Sequence, residues 1–137
     1  MENIVSIHEL LRSEKFRRMP ALFIGKLSIL SLWAYIDGYR MALHIHNILE
    51  NDNIFNDVKF NDFVANYYNK PAEAGWANNI WADNYGDEPQ SFKTFFMLFD
   101  EFNGEKKEYN FYHNLMMLYI GQIKPNELNF DNYKTLK

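Results

Sequence analysis

The stretch Phe92-Lys93-Thr94-Phe95-Phe96-Met97-Leu98-Phe99-Asp100-Glu101-Phe102 decides the fold class. Phe92, Phe95, Phe96, Phe99 and Phe102 recur at three- and four-residue intervals, which lines one face of a helix of about 3.6 residues per turn. Lys93, Asp100 and Glu101 are expected to lie away from that stripe, toward water. Pro89 suits the first turn, where its missing N–H costs nothing, and Asn103-Gly104 supplies a stop.

The same period continues outward on both sides. Toward the C-terminus, a helix over about 105–122 places Phe111 or Tyr112, Leu115, Leu118 and Tyr119 inward, and Pro125 ends it. Toward the N-terminus, a short helix over about Trp76 to Tyr85 stops at Gly86, the residue that adopts a left-handed cap most cheaply. Trp76 and Ile80 share one face of it, Trp81 and Tyr85 the next. Phe60, Phe63, Val64 and Tyr67 mark a further helix, capped by Asn56 or Asp57 and closed at Lys70-Pro71. Tyr67 and Tyr68 are adjacent and point about 100° apart, so one of them is expected to face solvent.

Two helices precede these. Ser6 and Glu9 form a capping-box pattern for one over Ile7 to Arg17, and Pro20 breaks the chain before Ala21. Residues 27–49 carry apolar side chains around nearly the whole circumference at first (Leu27, Ile29, Leu30, Leu32, Trp33, Ala34, Ile36), which predicts a helix contacted on several sides. The expected architecture is an all-α, single-domain bundle of five to seven helices around this central helix, about residues 27–49. The domain runs over 1–137. Its last segment, 126–137, is polar with three anchors, Leu128, Phe130 and Tyr133, and is expected to wrap back loosely or fray.

Composition narrows the function. The 137 residues contain no cysteine, which excludes a disulfide scaffold, a cysteine-ligated metal site and a thiol nucleophile, and suits a reducing compartment. The opening Met1-Glu2-Asn3 lacks the basic start and apolar run of an export signal, and the apolar stretch 21–36 is too short and too interrupted to cross a bilayer. A cytoplasmic location follows as the expectation. Net charge is −4, but residues 50–105 carry eleven acids against three bases. Such a segment repels phosphate, so no nucleic acid is expected, and it attracts a basic partner.

Catalytic signals are thin. His44 and His46 form an H-x-H pair that diverges by about 200° on a helix, and His8-Glu9 lacks a second histidine four residues after the first, where Arg12 stands. Neither holds a metal. Asp37, Arg40 and His44 share one helix face and supply the one arrangement from which a small enzyme could be built, although a structural ion pair explains them better. No cofactor is implied. A protein-binding surface is a stronger reading than an active site: Asp83, Asp87 and Glu88 cluster around the Gly86 turn, with Trp81 and Tyr85 beside them as aromatic anchors, while core packing stays the competing reading for Trp76 and Trp81.

The helix Ser28-Ile29-Leu30-Ser31-Leu32-Trp33-Ala34-Tyr35-Ile36-Asp37-Gly38-Tyr39, then Phe60-Asn61-Asp62-Phe63-Val64 with Tyr67 and Tyr68, Gly75-Trp76 with Ile80, and Phe95-Phe96-Met97-Leu98-Phe99-Asp100-Glu101-Phe102 follow one another in an order that resembles small all-helical immunity proteins of bacterial polymorphic toxin and contact-dependent growth inhibition systems. The resemblance spans roughly residues 28–102. It implies a non-enzymatic, cytoplasmic inhibitor that binds a cognate toxin domain, often a nuclease, and neutralises it stoichiometrically; the charge distribution adds that the toxin domain is basic. No membrane partner is implied, and a homo-oligomer stays open. The alternative class is a helical scaffold or regulatory module without a toxin partner.

Overall fold

In the computed structural model, which describes residues 6–46 and 57–136, the phenylalanine stripe becomes the axis of the molecule. Eight α-helices occur among the described residues: α1 (Ile7–Arg12), α2 (Glu14–Arg18), α3 (Pro20–Ile24), α4 (Ile29–Ile45), α5 (Asp57–Tyr68), α6 (Trp76–Asp83), α7 (Glu88–Phe102) and α8 (Tyr109–Tyr119). Short 3-10 turns follow at Ala72–Ala74, Pro125–Glu127 and Phe130–Asn132. No sheet forms among these residues; an isolated antiparallel bridge joins Lys107 to Thr135. The all-α, single-domain class is therefore as expected.

The central helix is α7 and not the Trp33 helix. α7 packs against α4, α5, α6 and α8, and its Phe92, Phe95, Phe96, Leu98 and Phe99 are fully buried. Around it the aromatic rings interlock edge to face. Phe60 of α5 lies 5.6 Å from Trp76, 5.9 Å from Phe95 and 5.4 Å from Phe102 between ring centroids. These separations lie in the range where aromatic pairs add attraction beyond the area they bury.

α4 departs from expectation. It buries only Ile29, Leu32 and Ile36 and leaves Leu30, Trp33, Met41 and Ile45 exposed. An all-round apolar sequence signals contact on every side, and here the described residues cover one side alone. Its described part ends at Ile45, with His46 as the cap; residues 47–49 and the cap expected at Asn56 lie outside the described residues.

The helix count exceeds five to seven because the N-terminal segment divides at Ser13 and Pro20 opens a further short helix, α3. Ser13 is extended (φ −69°, ψ 141°) and serves both neighbours: its hydroxyl donates to Leu10 O at 2.9 Å and accepts from Phe16 N at 3.2 Å. α1 thus ends where α2 begins. Ser6 caps α1 as expected, accepting from the His8 and Glu9 amides.

Asp100 also departs from expectation. It is buried, not turned to water, and forms a bidentate pair with Arg17 across α7 and α2: Arg17 Nη1 and Nη2 donate to its two oxygens at 2.8 and 2.7 Å. Tyr112 of α8 donates its hydroxyl to Asp100 Oδ2 at 2.8 Å and accepts from the Lys107 amide at 2.9 Å. Arg17 also donates Nε to Leu11 O at 2.8 Å and lies 4.8 Å above the Phe96 ring. Tyr119 donates to Arg17 O at 2.6 Å. One buried ion pair thus joins α1, α2, α7 and α8.

The C-terminal segment is held by named contacts. Leu128 and Phe130 are buried, and Phe130 meets Phe111 at 5.1 Å. Arg18 donates to Pro125 O and Leu128 O while its guanidinium covers the Phe130 ring. The amides of Glu108 and Leu136 donate to Lys134 O and Lys106 O at 3.0 and 2.7 Å. The chain wraps back as its three anchors imply, and these bonds fix it more firmly than a loose tail.

Burial gives this core an alkaline limit. Burial and then the Asp100 charge push the Tyr112 phenol far above its usual range, burial does the same to Tyr119, and burial followed by the Asp83 charge does so to Tyr68. A pKa raised in the folded state contributes stability that is complete below the unfolded tyrosine value of about 10 and is lost as pH rises above it, because the unfolded chain releases those protons first. In an alkaline titration, three of the nine tyrosines should form phenolate only together with loss of helical circular dichroism. Nine phenolates in a protein of unchanged helicity would refute this.

Candidate functional site

The surface expected to bind a partner is built on the turn between α6 and α7. α6 turns Trp76, Ala77, Asn79 and Ile80 inward, which sends Asn78, Trp81, Ala82 and Asp83 outward. Trp76 is therefore core, and Trp81, 41% exposed, is surface. The face assignment made from four-residue spacing holds for both pairs, since Tyr85 is also exposed.

Gly86 is not alone in the left-handed conformation that ends α6. Tyr85 comes first with φ 54°, followed by Gly86 with φ 77°. Gly86 N donates to Trp81 O at 2.9 Å and Tyr85 N to Ala82 O at 3.1 Å, the paired bonds of a Schellman cap in which Tyr85 occupies the position usually given to glycine. A bulky side chain there is backbone strain, on the order of 1 kcal/mol or more. The Tyr85 side chain is 97% exposed, so no packing offsets that cost. Gly86 has a separate role. A Cβ at this position would stand 3.3 Å from the Trp81 ring, so the bare backbone is what lets the indole lie against the turn.

Two of the three carboxylates accept hydrogen bonds within the chain. Asp87 caps α7, accepting from Gln90 N at 3.0 Å. Glu88 accepts from Ile29 N at 2.7 Å and so fixes the first turn of α4 against the start of α7, where the helix dipole favours an anion. Asp83 lies close enough to Tyr68 for its charge to help raise that phenol's pKa. Asp83 and Asp87 remain exposed; Glu88 is half-buried, and its placement makes it a structural brace.

A feature that sequence reasoning missed adjoins this turn. Between α4 and the segment 73–78 runs a groove of about 420 Å³, lined by Leu30, Trp33 and Ala34 on one wall and by Glu73, Ala74, Gly75, Ala77 and Asn78 on the other. Trp33, read from its apolar neighbours as core, is 47% exposed at this groove. The available signal was the all-round apolarity of α4, which suits a partner-facing helix as well as a buried one. Asn78 and Ala77 lie three and four residues before Trp81, so the groove and Trp81 belong to the same helix.

Asp37, Arg40 and His44 also come together, with Met41, around an open depression of about 300 Å³ on the outer side of α4. His44 and His46 are both exposed. Among the described residues no three His, Asp or Glu side chains converge as metal ligands do, and no helix is long and apolar enough to cross a membrane. No family model matches this chain, and neither a curated protein nor a solved structure does.

Proposed function

We propose that this chain is an immunity protein, a cytoplasmic, non-enzymatic inhibitor that binds a basic toxin domain, often a nuclease in such systems, through the surface formed by Trp81, Tyr85, Asp83 and Asp87, with Glu88 bracing it from behind. The observation that carries the reading is Tyr85: a fully exposed aromatic held in a strained conformation that folding does not reward. Strain of this kind collects at functional sites. Trp81 beside it supplies an anchor of the type that dominates protein interfaces, and the two exposed carboxylates supply long-range attraction for a basic partner. The expected partners include neither nucleic acid nor membrane, and no cofactor or metal takes part.

Attraction and anchoring separate kinetically. Against a cognate toxin domain, the Asp83→Asn, Asp87→Asn pair is expected mainly to slow association and to flatten its salt dependence. Trp81→Ala together with Tyr85→Ala is expected mainly to hasten dissociation, by about 2 kcal/mol or more, and to abolish protection of toxin-expressing cells. Thermal melting of each variant verifies that the fold is kept. Full protection by the folded double-alanine variant would remove this surface, and failure of the unaltered chain to bind or protect would remove the immunity reading. The second reading, a helical scaffold without a toxin partner or one that self-associates, draws on the exposed face of α4 and is favoured if sedimentation shows a stable homo-oligomer.

A further inference from the structure

Resting on that reading, we infer that the groove between α4 and α6 is a socket for an arginine side chain of the basic protein partner, with the cation lying over Trp33 and paired to Glu73. Three independent features meet there. The walls are apolar and small: Leu30 and Ala34 line one side and Ala74, Gly75 and Ala77 the other, so an aliphatic stem can lie between them. At about 420 Å³ the space is near the lower end of the roughly 300–1,000 Å³ typical of ligand pockets.

The second feature is the indole. Trp33 is half exposed and borders the groove, and tryptophan is the most favourable ring for a cation placed over its face. The third is charge. Glu73 is exposed at the rim and makes no ion pair among the described residues, and the chain from 71 to 92 carries Glu73, Asp83, Asp87 and Glu88 without a single base. The lysines on either side of this stretch lie over rings of their own, Lys70 over Tyr68 and Lys93 over Tyr109. Each is thus directed to a different aromatic side chain.

A guanidinium satisfies all three features at once. Its planar fork matches a carboxylate in two parallel hydrogen bonds and stacks on an aromatic face, and it is less strongly hydrated than an ammonium group, so it enters a half-apolar groove more readily than lysine does. The groove therefore selects arginine, whereas the carboxylates of the α6–α7 turn accept either cation.

The test needs no toxin. Uniformly ¹⁵N-labelled protein is titrated with tetra-arginine peptide, with tetra-lysine peptide of equal charge, and with free arginine at equal guanidinium concentration. The expected result is saturable movement of the Trp33 indole N–H and of the Gly75 and Asn78 amides with tetra-arginine. Tetra-lysine should bind these positions several-fold more weakly. Glu73→Gln should weaken the arginine peptide by about tenfold at the groove, as loss of a charge-assisted bond requires, while Asp131→Asn, at an exposed turn of the C-terminal segment, leaves the Trp33 response unchanged. Equal binding of the two peptides, unmoved groove resonances, or indifference to Glu73→Gln would overturn the socket. Free arginine binding as tightly as the peptide would overturn its assignment to a protein partner. A toxin complex that forms normally with Glu73→Gln, alongside a silent groove, would sink this inference alone; an arginine-binding groove without any toxin complex would sink the immunity reading alone.

Discussion

Asp100→Ala is expected to lower the free energy of unfolding by about 3–5 kcal/mol, a large part of the roughly 5–15 kcal/mol that holds a domain together. The loss comes less from the missing attraction than from what stays behind. Arg17 is 4% exposed and would keep its charge with both terminal nitrogens deprived of an acceptor, since its remaining bond, from Nε to Leu11 O, satisfies one donor only. Tyr112 would lose the acceptor of its hydroxyl in the same step. Asp100→Asn, which keeps the shape and one acceptor oxygen, should cost less than alanine. The pairing of Arg17→Met with Asp100→Leu should recover much of the loss, because removing both charges leaves neither stranded. Urea unfolding of the four proteins measures the series. A change below about 1 kcal/mol in Asp100→Ala would show that the pair does not hold α2 to α7.

Phe60→Ala is expected to cost a similar amount, about 3–5 kcal/mol, for a different reason. Phe60 is fully buried, and rings from three elements approach it: Trp76 of α6, Phe95 and Phe102 of α7, and Phe63 of its own helix. Truncation leaves a cavity whose walls are stiff rings on three helices, and such walls collapse poorly into the space. Trp33→Ala provides the contrast. It removes a larger side chain but from the exposed wall of a groove, and it should cost distinctly less, as measured by the same denaturation. Equal losses at the two positions would contradict the assignment of α4 to the periphery.

These two sites differ in how far the sequence discloses them. The ring of Phe60 was legible, because Phe60, Phe63, Val64 and Tyr67 declare a helix face, and the α7 stripe declares the face it meets. Asp100 was misread, although its spacing contained the answer: Phe92, Phe96 and Asp100 succeed one another at four-residue steps, so the carboxylate sits on the buried side. What no local pattern discloses is the partner, since Arg17 lies 83 residues away in sequence. The prominence expected of α4 failed for a related reason. Periodicity reports that a surface is apolar, and the same pattern serves a helix enclosed by its own chain and one left open to another molecule. At the α6–α7 turn, although core packing competed with exposure for the tryptophan, the pairing of Trp81 with Tyr85 on one face followed from their spacing. The intramolecular bonds of Asp87 and Glu88 did not, because a helix cap within one turn and a brace to an amide 59 residues away look alike as carboxylates in a charged stretch.

The close approach of Gly86 to the Trp81 indole has a consequence for anyone surveying this surface by systematic substitution. Alanine at position 86 would displace the ring and oppose the left-handed turn, although residue 86 itself offers a partner no side chain to touch. Under the proposed function, a mutational scan scored on cell survival would therefore mark Gly86 although it makes no side-chain contact. Its neighbour Tyr85 would behave in the opposite sense when replaced by glycine, gaining thermal stability while losing the ring. The two adjacent positions thus form an internal control, in which loss of activity coincides with a less stable protein at one and a more stable protein at the other.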